Sequence, residues 1–268
     1  MRQFHREVTE FVAHAAEVSC LSISPRSQKV LATAGNEGKI NIWNISDPSA
    51  ASNVWTLSSG GSSAGASGRP VTECLCFDGD EQCVVSGSSN GSVKVFDLNE
   101  GKLARNLKGH QVNVSSLHYH PHGEIIASGS ADATMKVWDA RQKSCIQTYS
   151  AHTARLNCVR FSPDGRWVAS SANDGQILLW DLNAGKLLQK VRTPQSAHTT
   201  QFEFNPAEFL MAAVTSSKAV RLFDLERMEW LGMCGGGGAG ESFAAGLAFC
   251  GPDFDKLVVA APAAVRLW

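Results

Sequence analysis

The middle of the chain carries one pattern of polar residues twice, 42 residues apart. In each copy a histidine is followed by a serine, an aspartate and a tryptophan at the same distances. The two sets are His110, Ser128, Asp132 and Trp138, and His152, Ser170, Asp174 and Trp180. A chain that repeats itself at this interval is built from one supersecondary unit packed against copies of itself.

Short apolar stretches, separated by turns rich in glycine, predict β-strands through all the repeats. Val18–Ile23 alternates apolar and polar residues, as a half-buried strand does, and residues 30–33 and 39–43 continue the same unit. The fourth strand of five units is predicted at residues 54–57, 103–107, 145–149, 187–191 and 229–233. The sequence therefore predicts an all-β fold.

The 42-residue period, with its four polar residues at fixed positions, resembles the blades of WD-repeat β-propellers. This resemblance implies a structural tetrad, in which hydrogen bonds run from the indole through serine and histidine to the aspartate. The first repeat keeps His14, Thr33 and Trp43, but Glu37 stands where aspartate is usual. We therefore expect a strained or water-assisted tetrad in the first repeat.

The second and fifth repeats lack a full tetrad. In the second repeat, Asn90 and Phe96 replace the aspartate and the tryptophan. In the fifth, Phe223 replaces the tryptophan, and the histidine position is taken by Gln195 rather than by the nearby His198. We therefore predict that His198 lies on a loop or at the start of a strand.

Six repeats account for the sequence, which predicts one domain over residues 1–268, a six-bladed WD-repeat β-propeller. The blades are predicted at residues 18–57, 71–107, 112–149, 154–191, 197–233 and 243–268, the last completed by residues 7–12. This N-terminal segment would add the outer strand of the sixth blade and close the ring, which removes two exposed sheet edges. Residues 58–70 and 234–241, rich in glycine and small residues, are predicted to be flexible insertions.

Composition argues against nucleic acid and membranes as partners. The formal net charge is −1, so the chain has no basic field that would attract either of them. No apolar stretch approaches the roughly 18 residues that span a bilayer, and residues 1–6 do not open an apolar signal segment. We therefore expect a soluble cytoplasmic protein, in which the eight cysteines are reduced thiols.

Partner proteins are expected on the narrow rim of the ring, where loops enter the first strand of each blade and where the turns carry the tetrad aspartates. Asn113, Arg155, Asn157 and Asn173 are the preferred contacts, because long or amide side chains can anchor a protein surface. The other rim positions expected to be exposed are Glu17, Ser19, Asn36, Ser115, Ala131, His198 and Thr200. An ordinary solvated rim is the alternative at each position.

The sequence predicts no catalytic, cofactor or metal site, and therefore no enzyme. The tetrad residues are catalytic types, but their repetition indicates a structural role. His118, His120 and His122 alternate and could share a face, yet no cysteine, aspartate or further histidine lies at a supporting spacing. The glycine-rich stretch at 235–240 lacks the lysine and serine or threonine that complete a phosphate-binding loop.

Two repeats also resemble one particular family, the katanin regulatory subunit. The third-repeat resemblance lies in Leu107-Lys108-Gly109-His110, in Asn113 and in residues 120–124, 127–130 and 136–145. The fourth-repeat resemblance lies in residues 160–170, 179–182 and 184–186, and residues 12–15 and 31–35 are similar to the opening of that family. The resemblance covers most of residues 7–233.

This second resemblance implies a targeting role. In that family a non-catalytic propeller directs a microtubule-severing ATPase to centrosomes, spindle poles and microtubule-associated proteins. The resemblance therefore implies a cytoskeletal protein with microtubule and spindle-pole partners. It also implies that the katanin catalytic subunit binds through a helical C-terminal region absent from this sequence, so that this chain is the targeting half.

Another segment, Trp138-Asp139-Ala140-Arg141, resembles the motif by which some WD-repeat proteins dock on the adaptor of cullin-based ubiquitin ligases. Trp138, Asp139 and Arg141 carry this resemblance, and Arg141 is expected near the base of the ring. Two alternatives to the targeting role therefore stay open, a substrate receptor of a ubiquitin ligase and a general WD-repeat scaffold.

Overall fold

The regular structure of the described residues consists of antiparallel β-sheets. The computed structural model describes residues 11–47, 51–58, 70–194, 197–217, 219–234, 246–250, 256–261 and 264–267. These residues form 23 strands in six sheets and contain no α-helix. The prediction of an all-β fold is confirmed.

Each sheet takes its strands in chain order. Sheet 1 contains β1 (Val18–Ile23), β2 (Val30–Gly35), β3 (Lys39–Asn44) and β4 (Ser52–Ser58). Sheet 2 contains β5 (Thr72–Phe77), β6 (Cys83–Ser88), β7 (Val93–Asp97) and β8 (Lys102–Leu107). Sheet 3 contains β9 (Val114–Tyr119), β10 (Ile125–Ser130), β11 (Met135–Asp139) and β12 (Cys145–Tyr149).

The second half of the chain continues this order. Sheet 4 contains β13 (Leu156–Phe161), β14 (Trp167–Ala172), β15 (Gln176–Asp181) and β16 (Lys186–Arg192). Sheet 5 contains β17 (Thr199–Phe204), β18 (Leu210–Thr215), β19 (Val220–Asp224) and β20 (Glu229–Cys234). The described strands of sheet 6 are β21 (Gly246–Cys250), β22 (Lys256–Ala261) and β23 (Ala264–Leu267).

The core of the molecule lies between consecutive sheets. The first strands of neighbouring sheets run side by side, β1 beside β5, β5 beside β9, and so on to β21. Each of the five apolar clusters draws its residues from two successive sheets; Trp180 of sheet 4, for example, packs with Val137 of sheet 3. Sheets 2 to 5 each pack against both of their chain neighbours, so the arrangement is consistent with the predicted β-propeller.

The first strand of sheets 1 to 5 contains a β-bulge at its second residue. In β13, for example, Leu156 pairs with Ala172 and Cys158 pairs with Ser171, so Asn157 has no partner across the ladder. The bulged residues of the five strands are Ser19, Glu73, Ser115, Asn157 and Thr200. A bulge changes the direction of the side chain that it carries, so the bulge decides what these residues contact.

The tight turn between the second and third strands needs a left-handed backbone residue. Gly38, Gly91 and Gly175 fill this place in sheets 1, 2 and 4, with φ of 76°, 80° and 76°. In sheet 3 the residue is Ala133, with φ of 63°. An L-residue with a Cβ atom is strained in this conformation, so sheet 3 has the less favourable turn.

Some predicted elements lie outside the described residues. Of the N-terminal outer strand predicted at 7–12, only Phe11 and Val12 are described, and neither is in a strand. Residues 59–69 and 235–241 of the two predicted insertions are also outside the described part. Phe11 packs against Trp43, with ring centroids 4.7 Å apart.

Candidate functional site

Sheets 3 and 4 each contain a polar network beneath their rim loops. In sheet 3, His110 Nδ1 lies 2.9 Å from Asp132 Oδ2, His110 Nε2 lies 2.7 Å from Ser128 Oγ, and Trp138 Nε1–H donates to Ser128 Oγ at 2.8 Å. A single assignment of protons satisfies all three contacts. The Nδ1–H of His110 donates to the carboxylate, and its bare Nε2 accepts the hydroxyl proton of Ser128.

Sheet 4 repeats this network nearly atom for atom. His152 Nδ1 lies 2.8 Å from Asp174 Oδ2, His152 Nε2 lies 2.9 Å from Ser170 Oγ, and Trp180 Nε1–H donates to Ser170 Oγ at 3.0 Å. Ser170 is fully buried, and its oxygen is held between the indole and the imidazole. A hydroxyl enclosed in this way cannot reach a substrate, so the arrangement fits a structural role and not that of a nucleophile.

Burial and hydrogen bonds together set the charge states in sheet 3. Burial lowers the pKa of His110, and this outweighs the opposing effect of its hydrogen bond with Asp132. Burial acts to raise the pKa of Asp132, but hydrogen bonds from Thr134 and His110 prevail and lower it. The network therefore combines a neutral imidazole with an ionised carboxylate.

The network of sheet 1 is complete, with glutamate in place of aspartate. His14 Nδ1 lies 3.0 Å from Glu37 Oε1 and His14 Nε2 lies 2.9 Å from Thr33 Oγ1, while Trp43 Nε1–H donates to Thr33 Oγ1 at 3.0 Å. The backbone N–H of Ala16 donates to the second carboxylate oxygen at 3.1 Å. Our expectation of a strained or water-assisted contact is wrong, because Glu37 reaches the imidazole directly at an ordinary hydrogen-bond distance.

Sheets 2 and 5 have no such network among the described residues. Ser86 in sheet 2 is fully buried, its hydroxyl has no hydrogen-bond partner in the described structure, and Phe96 occupies the tryptophan position. In sheet 5 the corresponding aromatic residue is Phe223, which packs against Trp230 at 5.0 Å between centroids. His198 is half-buried in the loop before β17, and its backbone N–H donates to Ser216 Oγ; Gln195 is outside the described residues.

The predicted rim residues divide into two groups. Glu17, Ser19, Asn36, Arg155, Asn173 and Thr200 are exposed, whereas Asn113, Ser115, Ala131, Asn157 and His198 are half-buried. The expectation that the second group is exposed is wrong. The β-bulge turns Ser115 and Asn157 toward the next sheet, and the amide oxygen of Asn113 is buried with no hydrogen-bond partner in the described structure.

Three bulged residues join neighbouring sheets. The side chains of Ser19, Ser115 and Asn157 each donate a hydrogen bond to the first carbonyl of the next inner strand, those of Thr72, Leu156 and Thr199, at 2.6, 2.6 and 3.0 Å. Ser19 and Ser115 lie close to the strand beside them as well, 3.1 and 3.2 Å from the carbonyls of Ala34 and Gly129. These contacts hold sheets together, which leaves fewer rim side chains for a partner.

The exposed part of the rim is polar and carries both signs of charge. Asn36 Nδ2 donates to Glu17 Oε2 at 3.3 Å, and Asn157 Nδ2 donates to Asn173 Oδ1 at 2.8 Å. Arg155 forms no ion pair within the described residues. Sequence reasoning missed Glu73, an exposed carboxylate on the bulge of β5; alignment with Ser115 and Asn157 in the neighbouring repeats would have identified it.

Only part of the adaptor-like motif is accessible. Trp138 belongs to the network of sheet 3 and is 1% exposed, while Asp139 Oδ1 accepts a hydrogen bond from the backbone N–H of Arg141 at 2.8 Å. Arg141 is exposed, and its carbonyl accepts from Arg105 Nε at 3.0 Å. Any partner of this motif would therefore meet Arg141 and not the indole.

The three alternating histidines form hydrogen bonds between sheets 3 and 4. His118 Nδ1 accepts from the backbone N–H of Phe161 at 3.1 Å, and burial, with Arg160 and His120 nearby, lowers the pKa of His118 to about 3. His120 and His122 donate through Nε2 to the carbonyls of Gly165 and Pro163. Within the described residues no three histidine, cysteine or acidic side chains are placed to hold a metal ion.

Comparison with the profiles of known protein families identifies the family of this chain. The profile of the family described as "WD domain, G-beta repeat" matches residues 5–44, 52–97, 101–139 and 143–181, which is more than half of the chain. The chain belongs to the WD40-repeat family. Within its described parts, this WD40-repeat protein has no helix of the length and apolar character that crossing a bilayer requires.

Several curated relatives are katanin subunits, which confirms the resemblance to that family. The chain is 41% identical over 85 residues to a katanin p80 WD40 repeat-containing subunit B1 homolog of Arabidopsis thaliana, covering 32% of this chain and 9% of that protein. It is 38% identical over 88 residues to the katanin p80 WD40 repeat-containing subunit B1 of Danio rerio, covering 33% and 11%.

A more distant relative acts in another process. The chain is 29% identical over 108 residues to the protein transport protein SEC31 of Chaetomium globosum, covering 40% of this chain and 8% of that protein. The WD40 chain thus covers only about a tenth of the length of the relatives it matches.

Proposed function

We propose that the chain is a non-catalytic protein-interaction propeller, the targeting and regulatory part of a katanin-type microtubule-severing complex. The similarity to katanin p80 subunits, at 38% to 41% identity, is the observation that carries this proposal. Its proposed partners are microtubule and spindle-pole proteins, and its proposed location is the cytoskeleton at centrosomes and spindle poles. The katanin catalytic subunit is a further proposed partner.

The chemistry of the described site supports a binding role over catalysis. The histidine, serine and aspartate side chains that could perform acid–base or nucleophilic chemistry are enclosed in networks under the rim. These networks fix the loops around them, and a fixed rim binds a partner with a small loss of conformational entropy.

We propose further that the sheets close into a six-bladed ring. Leu21 and Ile23 on β1 are 63% and 50% exposed, whereas Val159 and Phe161, at the same places on β13, are 0% and 3% exposed. Two large apolar side chains gain by burial, roughly 1.5 kcal/mol or more each. Packing of sheet 6 against this face of β1, with residues 7–12 as its outer strand, would bury them.

The targeting role is tested by affinity capture from a eukaryotic cell extract with quantitative mass spectrometry. Arg155→Glu changes an exposed rim residue, and Lys190→Glu makes the same charge change on an exposed position of β16. We expect microtubule and spindle-pole proteins to be captured by the wild type and by Lys190→Glu, and to fall by about tenfold with Arg155→Glu. Capture of these proteins at equal levels by all three forms would argue against recognition by the rim.

The ubiquitin-ligase alternative is favoured by one observation, the exposure of Arg141. In the same experiment Arg141→Ala serves as its test. If the wild type captures a cullin adaptor and Arg141→Ala alone loses it, the substrate-receptor function replaces the targeting function.

A further inference from the structure

At the end of the sheets opposite the rim, the contact between sheets 3 and 4 differs from the contact between sheets 4 and 5. The turn that follows β9 carries His120 and His122, and the turn that follows β13 carries Ser162 and Asp164 at the same two places. The two histidines fill the space between sheets 3 and 4. His120 Nε2–H donates to the carbonyl of Gly165 at 2.9 Å, and His122 Nε2–H donates to that of Pro163 at 3.0 Å.

The imidazole of His120 also packs against an aromatic ring of the next sheet. Its centroid lies 5.0 Å from that of Phe161, and the two rings meet edge to face at 72°. This geometry is favourable for aromatic pairs. The seam between sheets 3 and 4 thus shows which side chain fits there: a flat ring directed at the phenylalanine that ends the next inner strand.

The corresponding seam between sheets 4 and 5 is open. Ser162 and Asp164 are too short to cross it, and their side chains turn back into their own loop, where Ser162 Oγ donates to Asp164 Oδ1 and accepts from the backbone N–H of Trp167. A groove of about 290 Å³ remains. Apolar side chains form most of its lining, namely Pro163, Trp167, Phe204, Pro206, Ala207, Phe209 and Leu225.

The groove has the size and shape of a site for one aromatic side chain. Phe204, which lines the groove, occupies the place that Phe161 has in sheet 4, so it offers the same ring to an occupant. An apolar cavity of about 150 Å³ is enough for a benzene molecule in another protein. Phe209 is 59% exposed, which is a large apolar surface to leave in water.

Two carboxylates at the groove define the charge of the occupant. Asp164 and Glu208 both line it, and Glu208 forms no ion pair among the described residues. Arg166 Nε approaches Asp164 Oδ2 only to 3.8 Å, and the two side chains are 79% and 49% exposed. An exposed pair of this kind contributes little, so the groove favours a neighbouring cation on the partner.

We propose that the groove between sheets 4 and 5 binds a peptide segment of a protein partner that presents one aromatic ring beside an arginine or lysine. The ring would stand edge-on to Phe204, as His120 stands to Phe161, and the cation would lie near Glu208. This surface is at the far end of the sheets from the rim and does not depend on the katanin-type function. The chain could therefore hold two proteins at once.

The test uses the complete chain and a fluorescein-labelled peptide with one phenylalanine between two arginines in a glycine–serine sequence. Fluorescence anisotropy measures binding, and a second peptide has alanine in place of the phenylalanine. We expect saturable binding of the first peptide, at least about tenfold weaker binding of the second, and weaker binding as salt rises. Equal binding of the two peptides, or no saturable binding below about 1 mM, would overturn the proposal.

Variants of the protein then locate the site. Ser162→His with Asp164→His fills the groove as sheet 3 does, and we expect it to weaken binding by at least about tenfold. Glu208→Gln is expected to weaken it by about threefold, while Glu226→Gln, in the turn between β19 and β20, is expected to leave it unchanged. Wild-type affinity in the filled variant would place the peptide elsewhere and sink the proposal.

One further variant keeps the proposal testable if the filled variant does not fold. Phe209→Ala removes one wall of the groove at an exposed position, so the fold does not rely on it. If the filled variant does not fold, loss of peptide binding in Phe209→Ala with an unchanged circular dichroism spectrum supports the proposal, and retained binding overturns it.

Discussion

Sheets 2 and 3 have equivalent strands paired in the same register, but of the two only sheet 3 has a polar network. Trp138 pairs with Ile126 across sheet 3, and Phe96 pairs with Val84 at the corresponding place in sheet 2. Both aromatic side chains are 1% exposed. Apolar packing alone is therefore sufficient to form such a sheet, and the network must contribute something else.

The additional contribution is a link between loops. His110 precedes the first strand of sheet 3, Asp132 lies in the turn between the second and third strands, and the hydrogen bond between them joins the two loops at the rim. The backbone N–H of Gln111 donates to the same carboxylate at 3.2 Å. The difference between sheets 2 and 3 thus teaches that the network fixes the rim, while the apolar core forms the sheet.

The largest expected effect comes from breaking one network at its centre. His152→Leu leaves the carboxylate of Asp174, which is 5% exposed, without its imidazole partner. We expect the free energy of unfolding to fall by about 3 kcal/mol, because a buried carboxyl group loses its hydrogen-bond partner. Urea denaturation measures this, with Lys190→Ala on exposed β16 as a control that should change it by less than about 0.5 kcal/mol. A loss below about 1 kcal/mol would mean that the network is dispensable.

Acid should destabilise sheet 3 more than sheet 2. The pKa of His110 is lowered by burial from its usual 6.5, so below that pH the unfolded chain takes up a proton that the folded chain resists. The lowered pKa of Asp132 acts in the same direction at lower pH, since its contribution is present above its usual 3.8 and is lost as the pH falls through the folded value. Both groups therefore reduce the stability of the fold on acidification, by up to about 2 kcal/mol for one histidine at pH 5.

Hydrogen exchange with mass spectrometry measures this difference sheet by sheet. Between pH 7 and pH 5, after correction for intrinsic exchange rates, we expect protection in β9–β11 to fall more than in β5–β7, which have no tetrad histidine. Equal losses in the two sheets would show that the networks do not control the response to acid.

The smallest expected effect concerns the turn between the second and third strands, which is more strained in sheet 3 than in sheet 4. Ala133→Gly should raise the free energy of unfolding by about 0.5 kcal/mol, because glycine adopts a φ of 63° without strain. The reverse change, Gly175→Ala in sheet 4, should lower it by about 1 kcal/mol, since the added Cβ meets no atom closer than 3.6 Å and only the backbone is strained. Thermal or urea unfolding of the two variants measures both changes, and equal signs would contradict this account.

The repeat pattern in the sequence predicted the strands well, because alternation and spacing are properties of the local chain. The outer strand of sheet 3, for example, is Cys145–Tyr149, as predicted. Side-chain contacts were harder to predict. Asn157 was expected to be exposed, but a β-bulge that is not marked by any residue type directs it to Thr199.

The groove between sheets 4 and 5 was missed for a different reason. Its signal is in the sequence, since Ser162 and Asp164 replace His120 and His122 of the preceding repeat. The replacement acquires meaning only when the structure shows that the two histidines cross the seam. Similarly, the length of the Glu37 side chain suggested a poor fit, and its direct contact with His14 depends on loop positions that spacing does not give.

The hydrogen bonds from Ser19, Ser115 and Asn157 to the next sheet all end on a main-chain carbonyl. A carbonyl is present whatever amino acid occupies the accepting position, so the accepting repeat can change its sequence without a matching change in the donor. The sequences of neighbouring repeats can therefore diverge one at a time. A new surface, such as an open groove in place of two histidines, can arise between one pair of sheets while the contacts between the other sheets stay unchanged.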